Sequence, residues 1–279
     1  MPLNKGTLGL IAGGGRLPFL VAEGARRAGV KVICAALADN AENGLSQNVD
    51  VFIPVPLARP GTWIKKLRAH GVTSTIMVGK VEKKQVYTPA KILKYLPDWK
   101  AVRIWYWTLR NNNKQNETIL TALAEELARG GIILEDSTKY CPEHLAEKGV
   151  ITKSKPSAGV TGDIEFGWSI VKTISELDIG QAITVKEKEV IAVEAIEGTS
   201  LMLERTGRLC PKGGWTLIKT AKPGQDMRFD VPCIGPDTIR SLSEYGGRCI
   251  AVEAEKTLII DKPETIGLAD QMGIAVVGY

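Results

Sequence analysis

The chain has 279 residues, 44% of them hydrophobic and 24% charged, with a net charge of +5; this is enough apolar material for one large core or two ordinary ones, and it excludes a disordered chain. Lys and Arg are scattered rather than gathered into a tract, which argues against nucleic-acid binding and leaves a phosphate ligand or an anionic membrane surface to account for the mild positive balance. Five cysteines without CxxC spacing indicate neither a disulfide framework nor a zinc site, and without an 18-residue apolar run a membrane span is not expected; the expectation is a soluble protein with reduced thiols in the cytosol.

Residues 8–12 (LGLIA) predict a strand, Gly13, Gly14 and Gly15 a turn, and residues 17–28 a helix. Such a turn can aim backbone N–H groups at a nucleotide phosphate. Three consecutive glycines are not the full GxGxxG fingerprint, so a phosphate cradle and a tight structural turn stand side by side. Strands at 31–36, 51–55 and 75–78, with a helix at 62–69, continue a βαβ alternation and imply an open parallel, Rossmann-like sheet. Ligands of such sheets gather at the carboxyl ends of the strands, which puts Gly13, Gly14 and Gly15, residues 36–39, and Gly79 with Lys80 on one rim. Lys80 there is either a phosphate contact or a solvated lysine.

Residues 89–129 turn helical and include WKAVRIWYWTLR, with Trp99, Trp105, Tyr106 and Trp107. Core packing is the first reading of these aromatics, a subunit interface or acyl-chain groove the second, base stacking the last. A helix capped near Asn116 and a strand at 132–134 close this half. Residues 135–159 then lose periodicity and carry Pro142, Gly149, Pro156 and Gly159. The domain boundary falls there, giving an N-terminal Rossmann-like domain (1–135), a linker (136–160) and a C-terminal catalytic α/β domain (161–279). The two histidines, His70 and His144, have no Ser or Cys nucleophile in a recognisable motif beside them, so a triad hydrolase has no support.

The second half opens with a helix at 163–177, capped by Thr161 or Asp163. A hairpin follows, with strands at 182–185 and 190–195 joined through Glu187 and Lys188, which makes the C-terminal sheet mixed. It delivers Glu194, Glu197, Gly198 and Thr199, which suit a metal or phosphate site as well as a solvated hairpin end. Beyond a strand at 215–220 come a helix at 236–245, paired strands at 249–253 and 257–260, a helix from Pro263 and a strand from Ile274.

Residues 219–239, KTAKPGQDMRFDVPCIGPDTI, are the densest in chemistry. Lys219, Lys222 and Arg228 supply cationic donors, Asp226 and Asp230 hard carboxylate oxygens, and Pro223, Gly224, Pro232, Gly235 and Pro236 stiffen the turns. Carboxylates recruit a cation such as Mg²⁺, and Lys and Arg offset charge on phosphoryl oxygens. A surface loop of solvated charges is the alternative, and the apolar flank weighs against it.

Three blocks, GLIAGGGRLP (9–18), DIGQAITVKEKEVIAVEAIEGTS (178–200) and 219–239, together with the terminal AVEAEKTLIID (251–261), resemble the LpxI-type UDP-2,3-diacylglucosamine pyrophosphatases of lipid A biosynthesis over nearly the whole chain. The resemblance implies a cytoplasmic, Mg²⁺-dependent hydrolase that cleaves UDP-2,3-diacylglucosamine to UMP and 2,3-diacylglucosamine 1-phosphate. It also implies a homodimer, and a lipid substrate brings peripheral contact with the inner membrane. Residue by residue, Asp226 takes the place of the catalytic or metal-binding aspartate, with Gln225, Arg228 and Asp230 in the same motif. Lys219 and Lys222 form the basic flank, Glu197, Gly198 and Thr199 the EGT turn, and Gly13, Gly14, Gly15, Leu17 and Pro18 the glycine loop.

Two other readings compete. A nucleotide-sugar transferase or dehydrogenase would use the glycine loop for its cofactor, against which stand the partial fingerprint and the context of Asp39. A non-catalytic nucleotide-binding or sensing protein would present the aromatic cluster to a partner.

Overall fold

Each half of the chain builds its own sheet. The computed structural model describes residues 6–38, 40–81, 97–110, 116–229 and 231–279, the side chains of 107–110 and 116–117 excepted. Two compact units result, one of Met1–Cys141 with Met227–Asp230, the other of Pro142–Asp226 with Val231–Tyr279.

The first unit contains β1 (Thr7–Ala12), α1 (Leu17–Arg27), β2 (Lys31–Leu37), β3 (Val51–Val55), α2 (Pro60–Ala69), β4 (Ser74–Val78), α3 (Trp99–Arg110), α4 (Asn116–Arg129) and β5 (Ile133–Leu134). Its strands lie in the order β3-β2-β1-β4-β5, every neighbouring pair parallel. The run KVICAAL of β2 is buried from Val32 to Leu37 without alternation, the pattern of a strand covered on both faces. Ile11, Ile33, Trp63, Leu67, Leu127 and Ile132 form its core, and each such side chain contributes about 1.5–3 kcal/mol through burial. Helix α2 starts on Pro60, whose missing N–H costs nothing in the first turn, and Asp98 accepts the Gly61 amide at 2.7 Å. Glu126 of α4, fully buried, is held by Lys100 (2.6 Å) and Arg103 of α3. Burial opposes its ionisation, but hydrogen bonds from Arg103 and Lys100 outweigh that and draw its carboxyl below the ordinary value.

The aromatic helix departs from the expected core packing. Trp99 is 77% exposed, Trp105 65% and Tyr106 62%, while Ile104, among the described side chains of α3, packs on the core. The Trp107 side chain lies outside the described residues.

The second unit contains β6 (Gly149–Val150), α5 (Ala158–Glu176), β7 (Ala182–Lys186), β8 (Glu189–Val193), α6 (Thr199–Leu209), β9 (Trp215–Lys219), β10 (Cys233–Ile234), α7 (Pro236–Tyr245), β11 (Gly247–Val252), β12 (Leu258–Ile259), α8 (Lys262–Gln271) and β13 (Ala275–Gly278). Its main sheet is mixed, in the order β6-β13-β11-β9-β7-β8. Strands β9, β11 and β13 run parallel, whereas β6 is antiparallel to β13 and β7 is antiparallel to both β8 and β9. The expected pairing of the segments at 249–253 and 257–260 does not occur. β11 sits between β9 and β13, and β12 pairs with β10 in a separate two-stranded sheet.

Helix α5 begins earlier than its apolar period suggests. Ser157 caps it, its Oγ accepting the Val160 amide at 3.3 Å. Asp163, expected as a cap, is buried inside the helix and accepts the Glu187 (3.1 Å) and Lys188 (2.6 Å) amides of the hairpin turn. Both turn residues have positive φ, 53° and 59°, a conformation Asn and Gly adopt more readily, and the buried carboxylate offsets that strain. The segment at 136–160 includes a 3₁₀ turn at Pro142–His144 and the strand β6, which joins the edge of the second sheet through β13.

Candidate functional site

Both sheets present a carboxyl rim, and the two rims are built differently. In the first unit the strand order turns back between β1 and β4, the place where parallel sheets usually open a crevice for a ligand. Here the Gly13 amide donates to Val78 O (2.9 Å), and Gly14 and Lys80 exchange amide and carbonyl at 2.8 Å in both directions. The glycines are needed for this approach. A Cβ on Gly13 would stand 2.6 Å from Lys80 O, one on Gly14 2.8 Å from Asn40 O, and one on Gly79, where φ is +104°, 2.7 Å from the Gly13 backbone. The amides of Gly13 and Gly14 are thus committed to the protein. Gly15 (φ +89°) has open space around it, Leu17 and the buried Pro18 begin α1, and Lys80 is exposed.

Residues Met227–Asp230 belong to this same unit. Ser137 donates its amide to Met227 O (3.0 Å) and its hydroxyl to Arg228 O (3.1 Å). Phe229 packs against the core, and the Arg228 guanidinium lies 5.1 Å from its ring centroid. Asp230 lies outside the described residues, as does Asp39.

In the second unit β9 ends at Lys219, level with Val252 at the end of β11 and with Ala182 at the start of β7. Lys219 Nζ, half-buried, donates to Thr199 Oγ1 and to Cys233 O, both at 3.3 Å. Thr199, the first residue of α6, in turn donates its hydroxyl to Glu194 Oε1 (2.5 Å), whose other oxygen accepts the Gln181 amide (3.2 Å). Among the described residues no carboxylate lies within salt-bridge distance of Lys219. An ammonium has three donors, so one is left for an anion arriving at this rim, where the first turn of α6 also presents amides.

The other predicted residues of this unit are placed differently. Glu197 pairs with Arg205 at 2.5 Å; its own backbone amide, with Arg205, draws its carboxyl below the ordinary value against desolvation. Gly198 has φ +81° and caps α6. Lys222 is ion-paired with the exposed Asp178. Gln225 closes a turn on Lys222, its Oε1 accepting the Lys222 amide and its own amide donating to Lys222 O, each at 3.0 Å, and Asp226 follows half-buried.

One residue of this rim escapes the motif analysis. Glu253, 9% exposed, follows β11 and accepts from Lys172, Thr220, the Ala221 amide and Lys256. Burial would raise its pKa, but those hydrogen bonds bring it down to about 2. The available signal was an acid at the end of the apolar run CIAVE, where a β-strand meets the rim.

Among the described residues no group of three or more His, Cys, Asp or Glu side chains is arranged to hold a metal ion. Asp226 supplies a hard carboxylate oxygen, which fits Mg²⁺, an ion that binds through one or two carboxylates and completes its shell with water and phosphate oxygens.

Comparison with known proteins covers both units. Residues 7–144 match the LpxI N-terminal domain and residues 147–277 the LpxI C-terminal domain. A protein of Caulobacter vibrioides named UDP-2,3-diacylglucosamine pyrophosphatase LpxI is 30% identical over 279 residues, covering 97% of this chain and 96% of that relative.

Proposed function

The chain belongs to the LpxI family, and from that premise we propose that it hydrolyses the pyrophosphate bond of UDP-2,3-diacylglucosamine, consuming one water and releasing UMP and 2,3-diacylglucosamine 1-phosphate in lipid A biosynthesis. The observation that carries this reading is the relation to the Caulobacter vibrioides protein over nearly the full length of both chains. Lys219 supports it physically. A half-buried ammonium with no carboxylate of the described residues within salt-bridge distance is suited to phosphoryl oxygens, whose charge grows as the P–O bond breaks.

In this reading Asp226 orients the attacking water or holds Mg²⁺, Gln225, Arg228 and Asp230 of the same motif share in the catalysis, and Lys219 acts on the phosphoryl group. Bound Mg²⁺ would neutralise charge shared between the phosphate oxygens. In the first unit, nucleotide contact falls to the Gly15 amide and the Lys80 side chain, since the Gly13 and Gly14 amides are already used. A homodimer is the proposed assembly, acting in the cytoplasm. Peripheral contact with the inner membrane suits the lipid substrate, and the exposed rings of Trp99, Trp105 and Tyr106 have the amphipathic character that membrane interfaces favour.

The test is UMP release from UDP-2,3-diacylglucosamine by the purified protein, with Mg²⁺ and then with EDTA. Metal-dependent UMP together with the lipid monophosphate is expected. Asp226→Ala is expected to keep the fold and lose at least about 10²-fold in kcat/KM. Binding of the substrate without any product would overturn the hydrolase and leave a nucleotide-binding protein.

A further inference from the structure

Among the described residues the Glu253 carboxylate bonds neither the glycine loop nor the side chains assigned above to chemistry, yet it grips the segment that carries them. Its Oε2 accepts from Lys172 Nζ (2.6 Å), Thr220 Oγ1 (2.5 Å) and the Ala221 amide (2.9 Å), and its Oε1 lies 3.0 Å from Lys256 Nζ. Its backbone amide donates to Lys219 O at 3.1 Å. One residue therefore fixes three consecutive ones, Lys219 through the main chain and Thr220 and Ala221 through the carboxylate. Thr220 and Ala221 are fully buried, so water cannot replace the carboxylate as their partner.

Beyond Ala221 the chain has little freedom. The reciprocal hydrogen bonds between Lys222 and Gln225 close a turn over Pro223, whose ring fixes φ, and Gly224, at φ +69°. Asp226 is the next residue. A displacement at Ala221 is carried through that closed turn to Asp226, and backwards to the ammonium of Lys219.

We propose that Glu253 is a positioning residue for the phosphoryl-transfer chemistry, holding Lys219 and Asp226 in register through a carboxylate clamp on Thr220 and Ala221, with Lys172 of α5 neutralising the clamp. The proposal rests on the pyrophosphatase reading for its kinetic consequence and on the geometry alone for the clamp. A purely structural ion pair would lower stability and leave the turnover of the folded enzyme unchanged. A clamp lowers kcat with little change in KM.

The experiment uses the full chain and two readouts: UMP release from UDP-2,3-diacylglucosamine, and amide hydrogen exchange of residues 219–226 in the native state. Glu253→Ala is expected to lower kcat about 10²-fold with KM within about threefold, the size of effect that a small misplacement of reacting groups produces. Exchange across 219–226 rises at least about tenfold while the interiors of β9 and β11 stay protected, since opening becomes local. Glu253→Gln keeps one acceptor oxygen for Thr220 and Ala221 and is expected to recover kcat to within about tenfold of wild type. Thr220→Val, which removes one donor from the other side of the clamp, is expected to cost about fivefold in kcat and covers the case in which Glu253→Ala does not fold. Wild-type kcat in folded Glu253→Ala or in Thr220→Val, or unchanged exchange across 219–226 in either, overturns the clamp. A wild-type protein that releases no UMP overturns the pyrophosphatase reading instead, and the exchange measurement still decides the clamp.

Discussion

The carboxyl rims of the two sheets occupy equivalent places in their units but are used in opposite ways. At the first rim, main chain meets main chain: Gly13 bonds Val78, Gly14 and Lys80 bond each other, and a β-carbon at Gly13 or Gly79 would lie within 3 Å of backbone. At the second, side chains carry the bonds: Lys219, Thr199 and Glu194 are linked at the ends of β8 and β9, and Glu253, after β11, accepts from Lys172 and Thr220. A rim closed by backbone tolerates almost no substitution and carries few groups that could act on a ligand. A rim lined with side chains tolerates substitution structurally and is sensitive to it chemically. The first rim, outside Gly15 and Lys80, is therefore read as scaffold, the second as the proposed chemical edge.

Variants at the two rims separate these roles. The largest effect is expected from Lys219→Met, which removes the cation and keeps the stem: kcat/KM falls about 10²–10³-fold, as when a charge-stabilising donor is lost, with the thermal midpoint nearly unmoved. An equal loss of stability and activity would show that Lys219 serves the fold. Gly79→Ala is the converse, forcing a side chain into a left-handed conformation and into the Gly13 backbone. A loss of about 3 kcal/mol in denaturant unfolding is expected, with turnover per folded molecule retained.

Acid sharpens the contrast further. Glu253 ionises with a pKa of about 2 in the folded protein, against an ordinary 4.5. Its contribution to stability is then complete above pH 4.5 and is lost as pH falls from there towards 2. Glu253→Gln should flatten that acid limb in pH-dependent unfolding, and an unchanged limb would assign the loss to other carboxylates. The smallest effect belongs to Lys222→Ala. Its ammonium is already paired with the exposed Asp178, so kcat/KM should fall by no more than about threefold.

Local patterns made most of the secondary structure legible. The apolar runs of β1, β2, β3 and β4, the proline that opens α7 and the hairpin of β7 and β8 all announce themselves within a few residues. Contacts between distant residues did not. The commitment of the Gly13 and Gly14 amides depends on Val78 and Lys80, the neutralisation of Lys222 on Asp178, and the role of Glu253 on Lys172 and Thr220. Helix α6 was hidden because its start, Gly198 and Thr199, also suits a glycine turn; the spacing of buried Met202, Leu203 and Thr206 was its signal. Ser157 as the cap of α5 was missed because the first turn of that helix is exposed and carries no apolar period. Of the candidate site, Lys219 and Thr199 could be named from motif chemistry, but their direct hydrogen bond, with Glu194 behind Thr199, could not.

The excursion of Met227–Asp230 also bears on how the protein can be dissected. The first unit is discontinuous in sequence, because Phe229, which packs against its core, and the carbonyls that satisfy Ser137 come from far beyond Cys141. A fragment ending at Cys141 would lack that wedge, leave the Ser137 amide without its acceptor and leave its hydroxyl with the longer bond to Met77 O (3.4 Å), so truncation should yield a product prone to aggregation. The two halves are thus spliced rather than strung in series, and a soluble N-terminal piece would need residues 227–230 grafted back through a short loop.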